Sequence, residues 1–326
     1  MGRYILTGAA GFIGSRVADL LLRDGHSVLG VDNLSAAYDV RMKDYRLQGL
    51  LRREGFKFLK ADISERATMD EIAALWPQAD GLINLAAMAG VRASTSDPWA
   101  YLSTNTLGML NMLELARRQG IMRVVSASTS SVYGDLGRPP HKEEASSDHP
   151  LSPYAASKKG AEAFGYAYHH LYGLDLTMLR YFTVYGPAGR PDMVMFRFCQ
   201  WINEGKPVYT TGDGNQSRGF TYVEDIARGT LLALEKSRGY QIYNLGGHEV
   251  ITINQLIRML EARLGKKADV QYIPAHPADM LSNQADVSKA RQELGWEPQV
   301  GLEEGVGKLV DWYLENREWA REIETP

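Results

Sequence analysis

Two residues that together can move a proton stand four positions apart in the segment Tyr154-Ala-Ala-Ser-Lys158. On a helix, this spacing places Tyr154 and Lys158 on one face. A lysine cation beside a phenol favours the phenolate, so the pair predicts a tyrosine pKa lowered from about 10 toward neutrality. Such a phenolate is a general base for a hydroxyl group. The spacing by itself is weak, and its meaning depends on the residues around it.

A glycine-rich segment near the start of the chain has the composition of a phosphate-binding turn. Gly8 permits a tight turn, Gly11 lets the backbone approach a pyrophosphate, and Gly14 lets the following helix pack close to the sheet. Asp32 ends the next predicted strand, 18 residues after Gly14. Its carboxylate can accept both ribose hydroxyls of NAD and would repel a 2′-phosphate. Asn33-Leu34-Ser35 contains no arginine to reverse this preference, so the segment predicts NAD.

Short apolar segments alternate with amphipathic ones through the first half of the chain. The strand-length runs are RYILTG, SVLGVD, FKFLKAD, GLINLAA and RVVSAS. This alternation predicts an α/β fold, a Rossmann-like doubly wound parallel sheet with helices on both faces. Beyond about residue 180 the alternation is lost and Pro and Gly become denser, which indicates a change in organisation.

The composition excludes several classes of protein. The chain has 326 residues, of which 44% are apolar and 23% charged, so it has a sizeable core and is not disordered as a whole. A formal charge of −3 gives no basic surface for nucleic acid or anionic lipid. The single cysteine, Cys199, is typical of a cytoplasmic protein and excludes an internal disulfide and a thiolate zinc site. The apolar run from Leu82 to Val91 is too short to span a membrane, and no histidine spacing predicts a metal site.

The spacing of the glycine turn is GxxGxxG, and together with Tyr154 and Lys158 it resembles the extended short-chain dehydrogenase/reductase superfamily. Thr129, 25 positions before Tyr154, stands where that family has the hydroxyl residue that orients the reacting group. The segment RYFTVYGP resembles the RxFxxYGP segment of its nucleotide-sugar enzymes. The segment GDG followed by Arg218 resembles a later one, in which the arginine binds the diphosphate. The resemblance covers essentially the whole chain.

This resemblance implies which residues bind each ligand. The catalytic residues are expected to be Thr129, Tyr154 and Lys158. The residues expected to bind NAD are Gly8, Gly11, Phe12, Ile13, Gly14, Asp32, Asn33, Asp62, Ile63, Leu85, Ala86, Ala87, Tyr154, Lys158 and Tyr181. The residues expected to bind the sugar nucleotide are Arg92, Ser130, Ser131, Thr183, Arg190, Arg218 and Asp279.

The same resemblance implies the domain organisation and the assembly. We expect an NAD-binding Rossmann domain over residues 1–180, with a returning segment at about 219–246. We expect a smaller C-terminal α/β domain, which binds the sugar nucleotide, over residues 181–218 and 247–326. We also expect a homodimer held by two helices of each subunit, and no partner among nucleic acids or membranes.

The residues after Thr129 separate the reactions that this family catalyses. Sugar 4,6-dehydratases have an Asp-Glu pair there, because eliminating water needs an acid and a base. Uronate decarboxylases have a glutamate there. This chain has Ser130 and Ser131 instead. The resemblance therefore implies 4-epimerisation, in which Tyr154 takes the proton of the sugar 4-hydroxyl while hydride passes from C4 to NAD. The 4-keto sugar then turns over and receives the hydride on its opposite face.

Two residues of the segment FTVYGPAGRPDM point to an acidic sugar. The segment is similar to that of epimerases that convert UDP-glucuronate to UDP-galacturonate, in which the residues equivalent to Thr183 and Arg190 hold the C6 carboxylate. A guanidinium matches a carboxylate in a two-point contact that a neutral hydroxymethyl group cannot make. Two alternatives stay open. One is a UDP-glucose or promiscuous UDP-hexose 4-epimerase, and the other is a non-catalytic NAD-sensing protein of the same fold.

Overall fold

The structure is a computed structural model that describes residues 1–134, 137, 140–236, 238–247, 249–274 and 284–325. Numbered along the chain, its strands are β1 (Arg3–Thr7), β2 (Ser27–Asp32), β3 (Phe56–Lys60), β4 (Gly81–Asn84), β5 (Arg123–Thr129), β6 (Asp175–Tyr181), β7 (Thr183–Tyr185), β8 (Val208–Thr211), β9 (Ser217–Tyr222), β10 (Tyr240–Leu245), β11 (Glu249–Thr252) and β12 (Val270–Ile273).

The helices lie between and after these strands. They are α1 (Phe12–Arg23), α2 (Arg41–Leu51), α3 (Ala67–Leu75), α4 (Pro98–Tyr101), α5 (Gly108–Gln119), α6 (Pro153–Tyr172), α7 (Val194–Glu204), α8 (Val223–Lys236), α9 (Ile253–Leu264), α10 (Leu302–Glu315) and α11 (Arg317–Ala320). Short 3-10 turns cover Ala93–Thr95 and Ser130–Tyr133.

Seven parallel strands form the central sheet, in the order β10-β6-β5-β4-β1-β2-β3. The five strand-length runs of the first half form β1 to β5, which confirms the predicted doubly wound sheet. Residues on both faces of its inner strands are buried. Leu6 and Val125 pack with α1 and α8 on one face, while Ile5 and Val124 pack with α3 and α5 on the other. Such two-sided burial is why these strands are continuously apolar in sequence.

The direction in which strands are added reverses at β1. Strands β2 and β3 follow on one side of β1, and β4, β5 and β6 follow on the other. Loops after β1 and β4 therefore diverge and leave a crevice at the carboxyl ends of the strands, which is where ligands bind in such sheets. The glycine turn follows β1, and Thr129 is the last residue of β5.

A smaller region is built on β7, β9 and β11, which form a three-stranded sheet, and on the parallel pair β8 and β12. Helices α7, α9 and α10 pack together, and Phe196, Leu256 and Val310 are buried in their common core. The chain returns to the large sheet through α8 and β10, and β10 pairs with β6. Trp296 also packs on the large-sheet core, where its indole N–H donates to the Asp225 carbonyl at 2.8 Å.

Candidate active site

A cleft of ≈ 450 Å³ lies at the carboxyl ends of the central strands and extends to β7 and β9. Almost all of the residues singled out in the sequence line this one cleft. They are Gly8, Gly11, Phe12, Ile13, Gly14, Asp32, Asn33, Asp62, Ile63, Leu85, Ala86, Ala87, Thr129, Ser130, Ser131, Tyr154, Lys158, Tyr181, Thr183, Arg190 and Arg218. Of the remaining two, Arg92 is an exposed residue that precedes a 3-10 turn and is not in this lining, and Asp279 lies outside the described residues.

The glycine turn has the close contacts that its sequence predicts. Gly8 has a φ of +70°, and a Cβ there would lie 2.7 Å from the Ala86 nitrogen. A Cβ on Gly14 would lie 2.1 Å from the Gly8 carbonyl oxygen. Helix α1 begins at Phe12, and its N-cap residue, Gly11, has no side chain to cap it. Its first backbone N–H groups are therefore free of a capping side chain beside the cleft, an arrangement that fits a pyrophosphate.

Asp32 is buried at the end of β2, and a lysine that sequence reasoning missed lies beside it. The Asp32 carboxylate accepts hydrogen bonds from the Ala10 and Leu34 backbone nitrogens at 3.1 and 2.9 Å. Lys43 Nζ lies 3.4 Å from Asp32 Oδ1 and donates to Ser35 Oγ at 3.1 Å. A carboxylate has about four acceptor positions, so one stays open for a ribose hydroxyl. Lys43 is 11 positions from Asp32 in sequence, and its ammonium group lies beside the carboxylate only because of the path that residues 33–42 take.

The other predicted cofactor residues differ in how their polar atoms are used. Asp62 accepts from the Asn33 amide at 2.7 Å and from the Ser64 backbone nitrogen at 2.8 Å. Burial raises the pKa of Asp62, but the Ser64 and Asn33 hydrogen bonds outweigh it and hold that pKa below its ordinary value. The Tyr181 hydroxyl is hydrogen-bonded to Thr230 Oγ1 at 2.8 Å within the core, so Tyr181 presents its ring rather than its hydroxyl to the cleft.

Tyr154 and Lys158 occupy the first two turns of α6, which begins with a Ser152 cap and Pro153. Burial raises the pKa of the Tyr154 phenol above its ordinary value, and the Thr129 hydrogen bond and the Arg190 guanidinium act in the opposite direction. Lys158 Nζ donates to the Ala127 carbonyl at 2.9 Å, and burial lowers its pKa to about 8. In this structure Thr129 and Arg190, rather than Lys158, are the neighbours that favour the phenolate. The expected low tyrosine pKa is therefore not found here.

A buried ion pair between Glu162 and Arg180 joins the middle of α6 to β6. Glu162 lies one turn after Lys158 and is 2% exposed. Its carboxylate accepts two hydrogen bonds from Arg180, both at 2.9 Å, and one from Ser128 Oγ at 2.6 Å. This network joins β5, β6 and α6, and it holds the residue before Thr129 in place.

The substrate side of the cleft contains Arg190 already paired with a carboxylate. Arg190 Nε and Nη2 donate to the two oxygens of Asp192 at 3.0 and 2.5 Å. A guanidinium has five N–H donors on two usable edges. Asp192 takes the edge formed by Nε and Nη2, so the edge formed by Nη1 and the second Nη2 hydrogen stays available for another carboxylate. The Arg190–Asp192 pair could have been predicted from the segment GRPDM, since oppositely charged residues two positions apart at a turn can form an ion pair.

The hydroxyl residues after β5 form a compact group beside Tyr154. Thr129 Oγ1 accepts from the Ser131 backbone nitrogen at 3.2 Å and donates to Ser131 Oγ at 3.3 Å. Ser130 is buried and Ser131 half-buried in the 3-10 turn that follows. The group can orient a sugar hydroxyl or a carboxylate, but it holds no ionisable acid for elimination at these positions.

Three features define an extended short-chain dehydrogenase/reductase. They are the large parallel sheet, the glycine turn, and the helix with Tyr154 and Lys158 beside Thr129 at the end of β5. The sequence model of the NAD-dependent epimerase/dehydratase family matches residues 4–246, and the chain belongs to this family. It is 52% identical to a UDP-glucuronate 4-epimerase of Thermodesulfobacterium geofontis, over 99% of both chains.

Two solved structures are similar to this chain over nearly its full length. One is the UDP-glucuronic acid 4-epimerase of Bacillus cereus in complex with UDP-glucuronic acid and NAD. It is 34% identical with a TM-score of 0.90, covering 96% of this chain and 99% of that one. The other is the UDP-glucose 4-epimerase of Thermotoga maritima with UDP-glucose. It is 33% identical with a TM-score of 0.89, covering 97% and 99%.

No described helix combines the length and the apolar character that crossing a bilayer requires. In the same part of the chain, no group of three or more His, Cys, Asp or Glu side chains is arranged to hold a metal ion.

Proposed function

We propose that this protein is an NAD-dependent isomerase that interconverts UDP-glucuronate and UDP-galacturonate by epimerisation at C4. The observation that carries the proposal is that Tyr154, Thr129 and Arg190 line one cleft, so that a single bound sugar could contact both the base and the guanidinium. The 52% identity to a UDP-glucuronate 4-epimerase over the full chain supports the same substrate. The non-catalytic alternative finds no support, since Tyr154 and Lys158 are both present and both line the cleft.

The residues of this chain would divide the reaction between them. Tyr154 takes the proton from the sugar 4-hydroxyl and later returns it, while the Thr129 hydroxyl, hydrogen-bonded beside the phenol, favours the phenolate and orients the sugar hydroxyl. Lys158 holds the nicotinamide ribose from the next turn of α6. NAD, when bound, supplies the reversible two-electron acceptor for C4. Arg218 would bind the diphosphate, so that the sugar can turn over while its nucleotide stays attached.

The carboxylate of the uronate would bind at the free edge of Arg190, with Thr183, Ser130 and Ser131 as further ligands. The 4-keto intermediate is a β-keto acid and can lose carbon dioxide. Holding the carboxylate so that the C5–C6 bond lies in the plane of the carbonyl group would suppress that loss. This arrangement gives Arg190 two roles, substrate recognition and protection of the intermediate.

The direct test is to incubate the protein with NAD and UDP-glucuronate and to identify the product sugar by NMR. UDP-galacturonate is the expected product. An assay with UDP-glucose in parallel distinguishes this proposal from the UDP-hexose alternative. That alternative is tested because the chain is also similar to the UDP-glucose 4-epimerase of Thermotoga maritima. Conversion of UDP-glucose alone would replace the proposed substrate, and conversion of neither sugar would contradict the proposed activity.

We expect the denatured protein to release NAD rather than NADP. Asp32 would repel a 2′-phosphate, although Lys43 at 3.4 Å partly neutralises it. Chromatography of the released nucleotide measures the ratio directly. Asp32→Ser leaves Lys43 unpaired beside the ribose and is expected to shift the relative affinity toward NADP. A preference for NADP in the parent protein would contradict the role given to Asp32.

We also propose that the protein is a homodimer through α5 and α6, which pack side by side. Phe164 and Leu171, two turns apart on α6, are 38% and 65% exposed, and exposed apolar faces of this kind favour association. Light scattering should give twice the 36.3 kDa mass of the chain. Phe164→Glu/Leu171→Glu is expected to give monomers, while Tyr209→Glu on β8 should not. A monomeric parent protein would contradict the proposal.

We further propose that the chain has two domains and that the protein is cytoplasmic. An NAD-binding domain over residues 1–180 with the returning segment 219–246 agrees with the pairing of β10 beside β6. The remaining residues, 181–218 and 247–326, would form the sugar-nucleotide-binding domain. We propose a cytoplasmic location on the single buried cysteine, Cys199.

A further inference from the structure

A buried arginine on α2, Arg46, connects two segments of the active site that are far apart in sequence. Arg46 is 6% exposed. Its Nε and Nη2 donate to the Ala188 carbonyl at 2.9 and 2.8 Å, and Nη2 also donates to the Gly189 carbonyl at 3.0 Å. Its Nη1 donates to the Ala10 carbonyl, within the glycine turn, at 3.3 Å. A buried guanidinium must have its N–H groups paired, so these carbonyls determine where it lies.

The segment that Arg46 contacts has a backbone conformation that needs support. Ala188 has a φ of +53° and is buried. That region is unfavourable for alanine, whose Cβ crowds the following carbonyl oxygen. Arg46 holds the carbonyls of Ala188 and Gly189 in this segment, and Arg190 follows directly. The position from which the Arg190 side chain enters the cleft therefore depends on these two residues.

An aromatic ring links the two arginines a second time. The guanidinium carbons of Arg46 and Arg190 lie 5.6 and 5.9 Å from the centre of the Tyr38 ring. The Tyr38 hydroxyl accepts a hydrogen bond from Arg46 Nη1 at 2.8 Å. Arg46 also lies over the ring of Phe12, the first residue of α1, at 5.7 Å. Cation–π contacts of this kind orient a guanidinium plane, so Tyr38 transmits the position of Arg46 to Arg190.

We propose that Arg46 is a positioning residue that sets the place of Arg190 and thereby joins uronate recognition to the cofactor turn. Arg46 is not in the lining of the cleft, so it acts through the carbonyls of residues 188 and 189 and through Tyr38. The inference rests on the proposed function, because it concerns the acidic group of the sugar. It predicts that a change at Arg46 weakens uronate binding selectively, although Arg46 itself would not touch the substrate.

The test compares Arg46→Met and Arg46→Lys with Arg41→Met, a change on the same helix at an exposed arginine paired with Asp39. Calorimetry on the NAD-loaded protein measures the affinities of UDP, UDP-glucose and UDP-glucuronate. We expect UDP-glucuronate to bind about ten- to a hundredfold more weakly in both Arg46 variants, the scale of a small misplacement of a binding group. UDP and UDP-glucose should change by no more than about twofold, as for Arg41→Met. Arg46→Lys serves as the test if Arg46→Met does not fold, because it keeps the buried positive charge. Its single ammonium group cannot make the several hydrogen bonds of the planar guanidinium.

A double-mutant cycle separates positioning from general destabilisation. If Arg46 acts through Arg190, the losses of Arg46→Lys and Arg190→Ala in UDP-glucuronate affinity are not additive, and the double variant resembles Arg190→Ala alone. Equal losses for all three ligands, additive losses, or unchanged uronate affinity would each overturn the inference. Conversion of UDP-glucuronate by the parent protein is checked first. Its failure would contradict the proposed function, whereas a converting parent with unselective Arg46 variants contradicts only the role of Arg46.

Discussion

Tyr154→Phe is expected to lower the turnover of UDP-glucuronate by about 10²–10⁴-fold, the usual contribution of a positioned acid–base group. The substitution removes the oxygen that would accept the proton of the sugar 4-hydroxyl. It keeps the ring, which packs edge-on against Tyr101 with 6.0 Å between ring centres. Substrate binding should therefore change little, so kcat falls while the Kd of UDP-glucuronate stays near that of the parent protein.

Tyr101→Phe is the matched control for that experiment. It deletes the same hydroxyl from the neighbouring ring, where the oxygen donates to the Ala89 carbonyl at 3.2 Å. Its turnover should remain close to that of the parent protein. If Tyr154→Phe instead kept turnover within about tenfold of the parent, a value below the usual acid–base contribution, Tyr154 would not be the base. Thr129 would then be the first group to test.

Arg190→Ala is expected to lower the efficiency on UDP-glucuronate roughly ten- to a hundredfold. Hydrogen bonds to a charged group contribute about 1.5–3 kcal/mol, and the uronate carboxylate would be left with neutral hydroxyl donors. The loss includes repulsion from Asp192, whose carboxylate loses the two-point ion pair that Arg190 provides. A neutral UDP-hexose has no carboxylate for the guanidinium to bind, so it should lose much less turnover than UDP-glucuronate, only the part that reflects the effect of the Arg190 charge on Tyr154. Steady-state kinetics on both sugars measure the difference.

Two further measurements make the result specific to the carboxylate. In Arg190→Ala/Asp192→Asn, part of the lost uronate efficiency should return, because the unpaired negative charge is gone. With the carboxylate no longer held, the C5–C6 bond can leave the plane of the carbonyl group, and some 4-keto intermediate should lose carbon dioxide and appear as a UDP-pentose-4-ulose. Equal slowing of both sugars without a pentose product would mean that Arg190 binds the diphosphate or is structural, and the uronate assignment would lose its main support.

Features that depend on local sequence were predictable. The apolar runs became β1 to β5, and the inner strands among them are apolar on both faces because helices cover both sides of the sheet. The glycine turn could be predicted because Gly8 and Gly14 allow close backbone contacts that any Cβ would block. Tyr154 and Lys158 share a face of α6 because helical periodicity alone places residues four apart together. Each of these follows from a few neighbouring residues, with no need to know the rest of the chain.

The electrostatic partners in the cleft were decided by the tertiary structure. Lys43 reaches Asp32, and Arg46 reaches Ala188, only through the course of the backbone between them. Tyr154 is surrounded closely enough that burial raises its pKa, whereas the Tyr–Lys spacing predicted the opposite direction. Helical spacing determines which residues share a face, but a pKa depends on solvent exclusion and on every charge within a few ångströms. The sequence by itself therefore determined the fold and identified most of the predicted site residues that line the cleft, whereas the folded chain added Lys43 and Tyr38 and determined the electrostatic partners.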